Sequence, residues 1–137
     1  NITIEVTETT VMNNHAHILD TLYSLKDMGF KLSMYDFGTG YSSMARILEL
    51  PLDEIKIDKI FVRHMTTHHK HERIVDSMIN LAHRLNLTVV AEGVEDTETY
   101  KRLKALGCDV IQGYLVGKAM PLADLIRTIK HPPPKLA

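Results

Sequence analysis

The sequence predicts an α/β fold of about five strand–helix units, part of a (β/α)8 TIM-like barrel. Three observations carry this. Period-two apolar runs alternate with runs of helical spacing along the whole chain. The helical runs are long enough to serve as crossovers between parallel strands. Polar residues collect at or near the strands' C-terminal ends: Glu5, Asp36, Lys56 with Asp58, Glu92 and Gln112. An open doubly wound sheet fits the count of units equally well. The polar residues favour the barrel, where several strand ends contribute to one reactive face. A nucleotide-binding open sheet more often has a Gly-rich loop after its first strand, and "EVTETTVMNN" contains no glycine.

The elements follow in order. "ITIEVTE" alternates as a strand, and "NHAHILDTLYSLKDMG" reads as a helix with Ile18, Leu22 and Leu25 on one side and Gly29 as its stop. "FKLSMYDF" is the second strand. "YSSMARILEL" is a short helix with Ser42 or Ser43 as N-cap and Pro51 beyond its end. "EIKID" is the third strand. In "ERIVDSMINLAHRL", Ile74, Val75, Met78, Ile79, Ala82 and Leu85 form an apolar helical face. "LTVVAEG" is a β-branched fourth strand, and "DTETYKRLKALG" is a helix ending at Gly107. "DVIQGYL" is the fifth strand, followed by "MPLADLIRTIK" with Pro121 in the first helical turn. The domain thus predicted spans residues 1–130. The tail "HPPPKLA" (131–137) favours polyproline II.

Composition narrows the function classes. The 137 residues suffice for one modest domain, and 45% apolar content suits a globular chain. A net charge of −1 provides no global basic field for nucleic acid or acidic membrane. The single cysteine, Cys108, excludes an internal disulfide framework. No apolar run is long enough to span a bilayer, and no signal peptide is visible. A cytoplasmic location is expected. The chain opens on Asn1 and enters a strand at once, so it is expected to be a piece of a longer protein.

Each strand-end residue has a structural reading beside the chemical one. Glu5 alternates away from Ile4 and Val6, so it points into the barrel as a ligand or as half of an ion pair. Glu8 can brace a loop. Asp36 precedes "GTG", where it either caps a turn or serves a ligand beneath a sharply turning loop. Lys56 and Asp58 are expected on one side of a strand, and Glu92 ends another. Either these form a salt-bridged interior or they hold cations. Several carboxylates around one lysine are expensive without cations, because like charges raise each other's pKa. Oxygen donors favour Mg²⁺, Mn²⁺ or Ca²⁺, and two such ions suit phosphodiester hydrolysis. "HMTTHHKH" (64–71) reads as a solvated, pH-sensitive loop without the regular spacing of a metal site, and His83 as a surface or boundary residue. Tyr41 and Tyr114 either pack or stack on a base.

Taken together, "EVTET", "YDFGTGYSSM", "LPLDEIKIDKIFV", "VVAEGVED" and "GCDVIQGYLVGKAMP" resemble the EAL domain family over residues 1–127. The resemblance implies a bacterial (β/α)8-barrel phosphodiesterase that linearises cyclic di-GMP to pGpG with Mg²⁺ or Mn²⁺. It also implies sensory or GGDEF domains in the parent chain, and is compatible with a membrane-anchored parent. By the same resemblance Glu5 and Asp36 bind metal, Glu92 is the metal-linked general base, and Lys56 orients the attacking water with Asp58 supporting it. Gln112 contacts the water network or ligand. Glu8 braces the loop through 36–43, a segment through which relatives dimerise.

Two departures qualify that expectation. A complete barrel takes far more residues than this chain has. The Glu-Ala-Leu strand and the Asn-bearing strand of the family do not occur here. Exposed strand edges in such a fragment favour association with a second copy as a homodimer. Position 35 is Tyr where active members carry the first Asp of the DDFGTG motif. A phenol is ordinarily neutral at pH 7 and a poor ligand for Mg²⁺. The expectation is an EAL-type signalling domain with hydrolysis weak or lost. The alternative is a catalytically inactive cyclic di-GMP receptor or protein-interaction module.

Overall fold

A computed structural model of the chain describes residues 2–13, 15–37 and 47–130; the side chains at 8, 12, 13, 15–17 and 36 fall outside that description. The Gly loop at 38–40, Tyr41, the caps at Ser42 or Ser43 and the tail 131–137 lie outside the described residues. The described elements are β1 (Thr3–Thr7), α1 (Glu8–Asn13), α2 (His15–Asp27), β2 (Lys31–Phe37), β3 (Glu54–Ile57), α3 (Lys59–Val62), α4 (His69–Arg84), β4 (Thr88–Ala91), α5 (Thr97–Ala105), β5 (Val110–Ile111) and α6 (Leu122–Lys130).

The five strands form one parallel sheet in the order β1-β2-β3-β4-β5. Each strand adds on the same side of the one before it. A doubly wound sheet must reverse direction at a switch point, and this one does not. Successive right-handed crossovers in one direction place their helices on one face, which is the arrangement of a barrel sector.

Burial confirms the two-faced character of the sheet. Ile4 and Val6 align with Leu32 and Met34 in the register of β1 with β2. Ile55 and Ile57 align with Val89 and Ala91 between β3 and β4. These residues pack with Val11, Leu22, Val62, Val75, Ile79, Ala82 and Leu103 from the helices in one core. The other face carries Thr3, Glu5 and Thr7, then Ser33 and Tyr35, then Glu54 and Lys56, which alternate with the core positions.

One irregularity interrupts the pattern. Met34 pairs with Ile55 and Phe37 with Ile57, so three steps along β2 match two along β3. Tyr35 and Asp36 together oppose Lys56, as in a β-bulge. The extra residue lets Met34 and Phe37 both enter the core, where both are buried.

Several elements differ from the sequence expectation. Helix α1 begins directly after β1, in a stretch to which the sequence assigned no element. Thr9, Thr10 and Val11 have modest helix propensity, but Val11 is fully buried and the Thr10 N–H donates to Thr7 Oγ1 at 3.3 Å. Packing overrides propensity there. Asp58 does not continue β3. It caps α3, accepting the Ile60 N–H at 2.7 Å. β5 is only two residues long, because the chain after it leaves the ladder to bond the 92–95 loop: Val94 N–H donates to the Gln112 carbonyl at 3.2 Å and Leu115 N–H to the Val94 carbonyl at 3.1 Å. A Cβ on Gly113 would lie 2.1 Å from the Val94 carbonyl oxygen, so only glycine fits that approach. Helix α4 starts three residues before the expected run, at His69. Ile74 is exposed because it sits about 100° around the helix from Val75, off the buried Val75–Ile79–Ala82 stripe.

Candidate active site

Lys56 is the centre of the polar face. Its side chain is only 6% exposed, and its Nζ lies 2.6 Å from Glu5 Oε1 and 2.6 Å from Glu92 Oε1. The three residues come from β1, β3 and the end of β4. Strand alternation turns all three toward one face, where the register steps them along the sheet: Glu5 is level with Glu54 through Ser33, Lys56 with Val90, and Glu92 lies two residues beyond Val90. Burial pulls the ammonium toward its neutral form. The hydrogen bonds and charges of Glu5 and Glu92 outweigh that effect and hold the Lys56 pKa above the usual lysine value. The cluster is electrostatically lopsided: two carboxylates share one cation. Glu92 is nearly buried, at 13% exposure, while Glu5 is about half exposed.

Tyr35 completes this arrangement. Its ring centre lies 5.7 Å from Lys56 Nζ, within reach of a cation–π contact. The bulge places the aromatic ring here, opposite the lysine that the carboxylates hold.

A pocket of about 250 Å³ opens beside the cluster. Tyr35, Glu92, Gln112 and Tyr114 line it, with Lys59 from α3 and Arg63 at the C-cap of α3. Gln112 follows the last residue of β5, and its own N–H donates to the Ala91 carbonyl at 2.9 Å, which fixes it beside Glu92. Arg63 forms an ion pair with Glu95 across the pocket. Gly93, with φ of +68°, passes so close to Lys59 that a Cβ there would lie 2.5 Å from the Lys59 Cβ.

The structure thus brings Glu5, Lys56, Glu92 and Gln112 to one end of the sheet. Asp36 shares that end through its backbone in β2, and Glu8 begins α1 there; the side chains of both lie outside the described residues. Asp58 stands one residue beyond β3, where the hydrogen bond it makes is the α3 cap. Sequence reasoning missed Lys59 and Arg63 because it missed α3. The available signal was an Asp cap followed by two cations spaced four apart, which share a helix face.

Glu5 and Glu92 supply oxygen donors, which fit a hard divalent cation such as Mg²⁺, Mn²⁺ or Ca²⁺. A buried ammonium already occupies the space between their nearest oxygens, which shows that the site attracts positive charge. No helix among the described residues is long and apolar enough to cross a membrane.

Comparison with known proteins agrees with this geometry. The EAL domain family model matches residues 1–119. The cyclic di-GMP phosphodiesterase RocR of Pseudomonas aeruginosa is 42% identical over 120 residues, 88% of this chain and 31% of RocR. The PaMucR phosphodiesterase, solved as a c-di-GMP complex, superposes with a TM-score of 0.85 at 41% identity, over 90% of this chain and 50% of that one. Klebsiella pneumoniae BlrP1, solved with manganese and cyclic di-GMP, gives 0.76 at 37% identity, over 82% of this chain and 29% of that one. The chain spans less than a third of the length of the curated relatives it matches. With the family model matching most of its length, and with a parallel barrel sector presenting Glu5, Lys56 and Glu92 at one end, the chain belongs to the EAL domain family.

Proposed function

We propose that this chain forms part of a cyclic di-GMP site whose hydrolytic step is weak or lost. The observation that carries the reading is the Glu5–Lys56–Glu92 cluster with Tyr35 standing against Lys56. Glu5, Glu92 and Asp36 are the residues that would hold Mg²⁺ or Mn²⁺. When bound, the metal supplies a Lewis acid and lowers the pKa of water. Lys56 is kept protonated by its two carboxylates, so it donates hydrogen bonds and fixes a water or phosphate oxygen. Glu92, nearly buried and beside Gln112, is placed to accept a proton from that water. Asp58 orders the α3 start next to Lys56, and Glu8 braces the loop after β2. Lys59 and Arg63 add positive charge on the pocket wall for a phosphate-bearing ligand.

Tyr35 is the reason for reduced turnover. A neutral, bulky ring at this position withholds a carboxylate from the metal and competes for the space. Binding survives more readily than hydrolysis, which favours a receptor role as the second reading. Pairing with another copy, and sensory or GGDEF domains in the parent, belong to the same proposal. The test uses the full-length protein with cyclic di-GMP and Mg²⁺ or Mn²⁺, following pGpG. Tyr35→Asp is expected to raise the hydrolysis rate at least tenfold. Efficient turnover by the unmodified protein, or no change in Tyr35→Asp, overturns the assignment of the defect to Tyr35.

A further inference from the structure

Two tyrosines line the pocket beside Lys56, and both stand on backbone that the fold pins. Tyr35 sits in the β2 bulge, between the paired positions Met34 and Phe37. Its ring centre lies 5.7 Å from Lys56 Nζ, and Glu5 and Glu92 hold that ammonium at 2.6 Å each. Tyr114 lies in the turn at 112–115. The Val94 N–H donates to the Gln112 carbonyl at 3.2 Å and the Leu115 N–H to the Val94 carbonyl at 3.1 Å. The turn is therefore tied on both sides of Tyr114 to Val94, which is fully buried. Tyr114 itself is 65% exposed, with Lys118 Nζ 5.0 Å from its ring centre. A tyrosine on fixed backbone offers a wide contact face at a low entropic cost of ordering.

The rest of the wall is polar in a particular way. Glu92 is paired with Lys56 and Glu95 with Arg63, whereas Lys59 has no carboxylate partner among the described residues. A cation is thus left over for a phosphate. Gln112 adds an amide that both donates and accepts. Aromatic faces for a base and cations for a phosphate are the parts of a nucleotide site. At about 250 Å³ the pocket is smaller than the roughly 300–1,000 Å³ that drug-sized ligands fill. It seats one base with its sugar rather than both halves of a cyclic dinucleotide.

We infer that Tyr35 and Tyr114 form a base-stacking subsite for one guanine nucleotide unit. Tyr35 then adds a binding contact at the same position where it withholds a carboxylate from the metal. The inference rests on the cyclic di-GMP reading above and deepens it by naming the side chains that hold a base. Stacking needs only a π face, so the Tyr35 ring matters here and its hydroxyl does not.

The test is calorimetric titration of the full-length protein with cyclic di-GMP in Ca²⁺, with chromatography confirming that the ligand stays cyclic. Tyr35→Leu and Tyr114→Leu should each weaken binding about tenfold, the size of one lost base–aromatic stack. Tyr35→Phe should bind within about twofold of the unmodified protein, because the ring remains. GMP should displace cyclic di-GMP at least about tenfold more effectively than ribose 5-phosphate, which carries the phosphate without the base. Tyr114 is exposed, so its variant keeps the fold even where Tyr35→Leu loosens the bulge, and circular dichroism checks both. Unchanged binding in either Leu variant, equal loss in Tyr35→Phe and Tyr35→Leu, or equal displacement by the two monophosphates overturns this inference and leaves the cyclic di-GMP reading standing. No binding by the folded, unmodified protein overturns both.

Discussion

At the N-terminal ends of the strands, two carboxylates brace the sheet locally. Asp53, just before β3, accepts the Leu32 N–H at 2.8 Å and pairs with Lys26 at 2.6 Å. Asp109, just before β5, accepts the Val89 N–H at 2.8 Å and meets His83 Nε2 at 2.9 Å. The device repeats one strand pair apart. At the C-terminal ends, Glu5 and Glu92 instead converge on one buried ammonium from a third strand. A carboxylate tied to a neighbouring backbone N–H belongs to the fold. Carboxylates that gather round a shared cation leave charge that a ligand can use. The barrel rule has the same form: one end of the strands stabilises and the other reacts.

The largest effect expected is at Lys56. Lys56→Met leaves two carboxylates facing each other with their cation gone, and should lower unfolding free energy by about 3 kcal/mol. That figure is the low end for a broken buried pair, because Glu5 is half exposed. Urea unfolding at pH 7 measures it. The pH dependence sharpens the point. Lys56 has a folded pKa above the ordinary 10.5, so its contribution is complete below 10.5 and fades as pH rises through the folded value. On the alkaline side of neutrality, the gap between wild type and Lys56→Met should therefore persist until strong alkali. A gap that closes by about pH 9 instead would show that the ammonium is not the stabilising partner.

The N-terminal carboxylates should behave in the opposite sense. Burial tends to raise both Asp53 and Asp109. The Lys26 and Leu32 hydrogen bonds at Asp53, and the Val89 and His83 hydrogen bonds at Asp109, outweigh it and hold both below the usual 3.8. Their stabilisation is complete above that value and is lost as pH falls through the lowered folded values. Asp53→Asn and Asp109→Asn should each cost about 1 kcal/mol at pH 7, at the low end of a charge-assisted bond because both sites are partly exposed. Unfolding curves from pH 7 down to pH 2 should show each variant converging on wild type.

The smallest effect concerns Cys108, beside Asp109. Burial first, with the Asp109 charge adding to it, pushes this thiol up to about 11. At pH 8 roughly one thiol in a thousand is then ionised. Alkylation by iodoacetamide should be far slower than in the unfolded chain. Equal rates before and after unfolding would remove the distinction between this protected end of the sheet and the open one.

Much of this contrast was legible in one dimension. Period-two alternation already set Glu5 opposite Ile4 and Val6, and Lys56 opposite Ile55 and Ile57, because successive strand side chains must point to opposite faces. Other features depended on partners distant in sequence. α1 follows from a buried Val11 that its own propensity opposes. Lys59 and Arg63 became visible only with α3, a four-residue helix too short for periodicity to reveal. The buttressing by Asp53 and Asp109 requires knowing which backbone N–H groups lie across the gap.

By itself the sequence determined the kind of fold and the strand ends that carry charge. Those are properties of residue type and local period. Tertiary structure alone decided that the sheet runs in unbroken order and that Lys56 holds both Glu5 and Glu92. It also decided that Tyr35 and Asp36 share one bulge across from that lysine. Register between strands fixes such contacts, and register is set by how whole apolar faces pack rather than by any one segment.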